Sequence, residues 1–165
     1  MTSPSLTPSK NASSLESLLR PTHFVSELRS RKKVQVLDEL AAALAAAGVT
    51  RSPEIVAELL REREALGSTG VGKGIAVPHA RSTLIADRAV LVARSKKGID
   101  FEAVDGEPVH LLFLVVAPPM ERDPIYLKVL ADVVRAVRLS RTRQKLSDAP
   151  DFDNVREILI HAAAE

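Results

Sequence analysis

The sequence predicts an α/β sandwich, a mixed β-sheet flanked by helices. Two short, continuous apolar runs, residues 89–93 and 109–116, are bounded by polar or Pro/Gly segments, the pattern of central strands covered on both faces. Around them lie segments whose apolar residues recur at helical spacing. Hydrophobic residues make up 45% of the chain but aromatics only 3%, so the core must be built from Leu, Val, Ile and Ala, as helices packed on a sheet supply it.

Residues 1–14 are rich in Ser, Thr, Pro and Asn and read as a disordered tail that cannot repay its ordering entropy. The single domain then spans residues 15–165, long enough for a real core. Leu18, Leu19, His23, Phe24 and Val25 are expected to enter a short edge strand. A helix follows over residues 31–47, with Ser30 as its cap, Gly48 as its stop and Val34, Leu37, Leu40, Ala41 and Leu44 facing inward. Ser52-Pro53 repeats the start signal, and the helix it opens turns Ile55, Val56, Leu59, Leu60 and Leu66 to the core. Ile75-Ala76-Val77 reads as a buried strand that Pro78 ends. Residues 105–108 make the turn between the two central strands, and Leu127, Leu130, Val133, Val134 and Val137 mark a helix over residues 126–139. A last helix covers residues 153–163.

Composition narrows the chemistry. The 23 basic and 21 acidic residues nearly balance, and the basic clusters at residues 29–33 and 135–145 read as solvated helix faces rather than a nucleic-acid patch. With no cysteine there is no disulfide, thiolate nucleophile or thiolate zinc site. The four histidines show no close helical pairing, so no metal site is expected. No apolar stretch approaches the length of a membrane span and no apolar signal core begins the chain, which makes the cytoplasm the expected location.

The run from Gly67 to His79 carries the chemistry. Gly67, Gly70, Gly72 and Gly74 allow close backbone approach to a ligand, and the amides from Ser68 through Thr69 to Gly74 could turn toward an anion. The short strand after them delivers one imidazole, His79, to a fixed place. Gly67, Gly72 and Lys73 also fit the G-x-x-x-x-G-K phosphate-loop spacing, but Gly74 stands where Ser or Thr belongs, and the order is helix, loop, strand instead of strand, loop, helix. A nucleotide-binding loop is therefore the remote alternative.

The segment Arg63-Glu64-Ala65-Leu66-Gly67-Ser68-Thr69-Gly70-Val71-Gly72-Lys73-Gly74-Ile75-Ala76-Val77-Pro78-His79 resembles the signature of enzyme IIA domains of the mannitol/fructose class in the bacterial phosphoenolpyruvate-dependent sugar phosphotransferase system, including their nitrogen-regulatory branch. Weaker similarity extends from Leu15 to the C-terminus through residues 105–113 and 126–131. The resemblance implies that His79 accepts a phosphoryl group from the histidine phosphocarrier protein and passes it to a IIB domain or holds it as a signal to a regulatory target. It places an active-site arginine at Arg63. The family's second histidine falls on Tyr126, which donates one hydrogen bond but lacks the positive charge of a protonated imidazole.

Phosphoryl transfer asks for an in-line nucleophile and donors around three anionic oxygens, with no metal, nucleotide or other cofactor when the donor is itself a phosphohistidine. A histidine side chain, titrating at about 6.5, offers a lone pair near neutral pH, and Arg63 would add a planar fork of donors. Lys73 reads as an exposed loop residue, His110 and His161 as structural, and His23 receives no role. Two functions remain, a regulatory nitrogen-type IIA, which the lost second histidine favours, and a sugar-specific IIA feeding a IIB domain. Whether the chain works as a transferase component or chiefly as a regulator is left open by its residues.

Overall fold

The computed structural model describes residues 14–165, so the tail expected at residues 1–14 lies almost wholly outside the described residues. The elements run α1 (Ser14–Leu18), a 3-10 turn (Pro21–His23), β1 (Phe24–Val25), α2 (Lys33–Ala46), α3 (Pro53–Ala65), β2 (Gly70–Gly72), β3 (Ile75–Ala76), β4 (His79–Arg81), β5 (Ala89–Ile99), β6 (Val109–Ala117), α4 (Pro124–Ala136), α5 (Ser140–Asp148) and α6 (Phe152–Ala163). The strands form one mixed sheet in the order β1-β5-β6-β3-β2, with β4 also paired to β6. β5 and β6 are antiparallel, whereas β1 lies parallel to β5, and β3 and β4 lie parallel to β6.

Both faces of the sheet are covered, as the continuous apolar runs predict. Ala89, Leu91 and Ala93 of β5 and Leu112, Leu114 and Val116 of β6 pack under α2 and α3. The alternate residues Val90, Val92, Leu111, Phe113, Val115 and Ala117 pack under α1, α4, α5 and α6. This is the period-two alternation of a strand with an apolar partner on each side.

Several local expectations are corrected. Leu18 ends a short helix, Leu19 lies just beyond it and His23 closes the 3-10 turn, so the expected edge strand reduces to Phe24 and Val25. Ser30 does not cap α2. Its amide, with that of Arg29, donates to the Glu39 carboxylate, and the helix begins only after Lys32. Val36 takes the buried place expected for Val34, which is 54% exposed. On α3, Val56, Ala57 and Leu60 are buried while Ile55 is exposed and Leu66, beyond the helix, is 86% exposed. β5 runs past Ala93 through polar Arg94, Ser95, Lys96 and Lys97 to Ile99, with a register shift between Arg94, opposite Leu111, and Ile99, opposite Val109. α4 starts at Pro124, capped by Asp123, and buries Tyr126, Val129, Val133 and Ala136, leaving Leu127 and Val134 exposed at 65% and 53%.

The basic clusters also resolve differently. Residues 29–32 precede α2 instead of lying on it, and Lys33 pairs with Glu64. Arg135 to Lys145 holds the end of α4 and most of an unforeseen helix, α5, where Arg143 donates to the Val137 and Arg138 carbonyls.

Candidate functional site

The glycine-rich segment leaves the C-terminal end of α3 and folds into a β-hairpin. Gly70 pairs with Ala76 and Gly72 with Ile75, so Lys73 and Gly74 form a two-residue turn, with φ of 58° and 78° respectively. Two positive φ values at the centre are the requirement of a type I′ hairpin turn, which glycine meets without strain. Gly70 is small for another reason, since a Cβ there would lie 2.8 Å from the Cβ and 2.9 Å from the Cα of Ala103. Lys73 is thus an exposed hairpin-turn residue and not the start of a helix, an arrangement opposite to a nucleotide phosphate loop.

Glu64, next to Arg63 at the loop end of α3, anchors this segment. Its buried carboxylate accepts from the Thr69 amide at 3.1 and 3.2 Å and from the Thr69 hydroxyl, and it pairs with Lys33 at 2.7 Å. Lys33 in turn lies 5.0 Å from the Phe101 ring centroid. The Ser68 hydroxyl donates to the Phe101 carbonyl and accepts from the Gly70 amide, while the Lys73 amide donates to Asp105. Backbone hydrogen bonding to Lys73 and then Glu107 holds the Asp105 carboxyl below its ordinary range. The amides of Thr69, Gly70 and Lys73 thus already have acceptors within the chain, and the loop's shape is fixed from inside.

Arg63 precedes Glu64 at the end of α3 and donates from Nη1 to the Gly67 carbonyl at 2.9 Å. One α3 residue thus braces the loop's first glycine and the next braces its buried threonine.

Pro78 interrupts the strand but does not end it. β3 pairs with β6 through Ala76 and Leu112, and β4 resumes the same ladder with His79 opposite Val115. His79 and Arg81, two apart on a strand, share the face of Val115 and Ala117, which is the α4 face. Ala80 packs on the other side, against the α2/α3 core. The half-buried His79 ring places Nδ1 2.9 Å from the Val77 carbonyl oxygen. A carbonyl only accepts, so Nδ1 carries the proton and Nε2 keeps the lone pair. Breaking the strand at Val77-Pro78 makes that carbonyl available to the imidazole.

Tyr126 enters the same face from the first turn of α4. Asp123 caps this helix, accepting from the Tyr126 amide at 3.1 Å, and is held by Arg88 at 2.9 Å. That guanidinium is the first cause that holds the Asp123 carboxyl below the usual range. Tyr126 is buried, and its ring lies beneath the Arg81 guanidinium, 4.9 Å from carbon to ring centroid. Burial pushes the phenol above its ordinary value, against the nearby charges of Arg81 and Arg63. The phenol is therefore neutral and able to donate near neutral pH, and both arginines lie within electrostatic reach of it. Arg81 was legible only by continuing the strand beyond Pro78.

Beside the site, Val71, Ile75 and Val77 of the hairpin edge and Leu130 and Val134 of α4 line an open apolar groove of about 720 Å³. Val134, exposed on α4, lies on this groove. The remaining histidines sit elsewhere. Nδ1 of His110 is 2.8 Å from the Ser95 carbonyl, His161 is exposed near Glu165, and His23 is buried beside Leu18. Among the described residues no group of three or more His, Asp or Glu side chains is placed to hold a metal ion, and no helix is long and apolar enough to cross a membrane.

The sequence model of the family described as "Phosphoenolpyruvate-dependent sugar phosphotransferase system, EIIA 2" matches residues 17–162. A nitrogen regulatory protein of Bradyrhizobium diazoefficiens is 37% identical over 142 residues, covering 86% of this chain and 92% of that one. A PTS system fructose-specific EIIABC component of Bacillus subtilis is 32% identical over 132 residues, 80% of this chain but only 21% of that protein's length. Among solved structures, the nitrogen regulatory protein IIA-Ntr of Neisseria meningitidis superposes with a TM-score of 0.81 at 29% identity, covering 88% of this chain and 98% of that chain.

Proposed function

This chain belongs to the EIIA type 2 family of the phosphoenolpyruvate-dependent sugar phosphotransferase system, and from that membership and the geometry of its site we propose that His79 is its phosphoryl acceptor, with a regulatory, nitrogen-type role in the cytoplasm. The observation that carries the chemistry is the Nδ1 bond to the Val77 carbonyl, which leaves Nε2 as the nucleophile. The donor is the phosphohistidine of the histidine phosphocarrier protein. The Nε2 lone pair attacks phosphorus as the donor's P–N bond breaks, and that electron pair returns to the donor ring nitrogen. Nδ1 keeps its proton on the Val77 carbonyl, so His79 transfers none during the step. Arg63 and Tyr126 supply donors to the phosphoryl oxygens. Ser68, Thr69, Gly70, Gly72 and Gly74 shape the loop beside them.

The groove supports docking of the carrier near His79, since Val71, Ile75, Val77, Leu130 and Val134 offer apolar area for a surface formed and released quickly, with Lys73, Arg135 and Arg138 also on its lining. The likeness to the Bradyrhizobium protein across 92% of its length supports the regulatory reading, with a regulatory protein as the downstream target. A sugar-uptake reading, with transfer to a IIB domain, rests on the fructose-specific relative.

Incubation with phosphoenolpyruvate, enzyme I and the phosphocarrier, followed by intact-mass analysis before and after mild acid, tests the assignment. Wild type is expected to gain one acid-labile phosphoryl group and a folded His79→Ala variant none. Equal labelling of the two proteins would remove His79 from the mechanism.

A further inference from the structure

We propose that Arg81, stacked on Tyr126, supplies the positive charge that the tyrosine at this position cannot, so that Arg81 and Tyr126 act together on the phosphoryl group bound at His79. The inference rests on the phosphoryl-acceptor reading of His79 and adds a residue that neither the sequence signature nor the comparisons assign.

Three observations carry it. Arg81 is two residues from His79 on β4, and the register that sets His79 opposite Val115 sets Arg81 opposite Ala117, so both side chains leave the same face of the sheet. The Arg81 guanidinium lies over the Tyr126 ring at 4.9 Å, close enough for the ring's π-face to hold a cation in place. Its only hydrogen bond among the described residues is a long one, 3.4 Å from Nη1 to the Met120 carbonyl, which leaves most of the fork's donors free for an anion. The Tyr126 hydroxyl makes no hydrogen bond among the described residues.

Of the neighbouring cations, Arg88 is committed elsewhere and Arg63 has one donor engaged by its own loop. Arg88 is bound to Asp123 through Nε and Nη2, and Arg63 donates to the Gly67 carbonyl. Asp123 is the carboxylate facing this cluster from the start of α4, and Arg88 offsets its charge. Arg81 is thus the guanidinium on His79's own strand and sheet face that remains open to a phosphoryl dianion. As His79 Nε2 bonds to phosphorus and the donor P–N bond breaks, the charge on the three equatorial oxygens is met by the Arg81 fork, with the Tyr126 hydroxyl as a neighbouring donor. An arginine stays protonated throughout the working pH range, so this charge does not titrate as an imidazolium would.

The test is rapid-quench phosphorylation by the phosphocarrier of wild type, Arg81→Gln, Arg81→Lys, Tyr126→His and the double variant Arg81→Gln/Tyr126→His, each checked for wild-type melting. Labelling of wild type at His79 establishes the underlying reading independently; its absence sinks that reading rather than the role of Arg81 alone. Arg81→Gln is expected to slow transfer by about ten- to hundredfold, the rate equivalent of a charge-assisted hydrogen bond, and Arg81→Lys to stay near wild type. The imidazole in the double variant should restore rate increasingly as pH falls through about 6.5. Taking its rate relative to Arg81→Gln at each pH cancels effects common to the two variants. An Arg81→Gln rate equal to wild type, an Arg81→Lys rate as low as that of Arg81→Gln, or a pH-independent ratio would each overturn the proposal.

Discussion

The two halves of the sheet are built to opposite rules. β5 and β6, of 11 and 9 residues, run antiparallel through the middle, and their apolar residues are buried against helices on both faces. On the other side of β6 the chain breaks into β2, β3 and β4, of 3, 2 and 3 residues, with a tight turn between the first two and a proline between the others. The regular half supplies burial, and the broken half places one imidazole, one arginine and a braced loop. Regular pairing alone would have spent the Val77 carbonyl on the ladder and left Nδ1 of His79 without its partner.

The largest effect on stability should come from the regular half. Phe113→Ala, at a fully buried β6 position, is expected to cost about 3–5 kcal/mol by urea denaturation. The phosphorylation rate of the molecules still folded should be unchanged. A matching loss of rate per folded molecule would show that the two halves are not separable.

Gly70→Ala should give the converse. Its Cβ would meet Ala103 at 2.8 Å, so the β2 backbone must shift, at about 1–3 kcal/mol. The phosphorylation rate per folded molecule should fall, because the displaced loop carries Thr69 away from Glu64 and disturbs the Arg63 end of α3. Wild-type kinetics in a protein whose amide spectrum is perturbed around Gly70 would mean that the loop tolerates motion.

The smallest effect concerns His23, between α1 and the β5 edge. Burial holds its imidazole below the ordinary value, with the Leu18 carbonyl opposing. The unfolded chain therefore binds more protons there than the folded one. The contribution of His23 is complete above about pH 6.5 and is lost as pH falls toward the folded value. Thermal melts should show wild type losing more stability than His23→Gln on acidification through this range, with parallel profiles counting against it.

Legibility followed the same division. The central strands could be read because a strand covered on both faces is apolar throughout, and His79 because glycine spacing and Pro78 mark a shaped backbone. α5 escaped notice because its residues are mostly Ser, Arg, Gln and Lys and it buries only Thr142 and Leu146. The face of α4 was read in part, since Val133 and Val137 are buried but Leu127 and Val134, which look equally like core, are exposed. Glu64 is hidden in a run of alternating charges, where a buried carboxylate looks like any solvated one until its partners Lys33 and Thr69 are seen.

The short strands at the sheet's margins bear on self-association. An edge of unpaired N–H and C=O groups is a template for strand addition from another molecule, and a long flat edge is the hazardous kind. Here the long strands are interior, β1 at one margin has 2 residues and β2 at the other has 3. Pro78 removes a further donor between β3 and β4. The interruption that presents the imidazole thus also denies a neighbouring chain a continuous edge on which to stack, allowing contact with partners through side chains while resisting growth into a fibril.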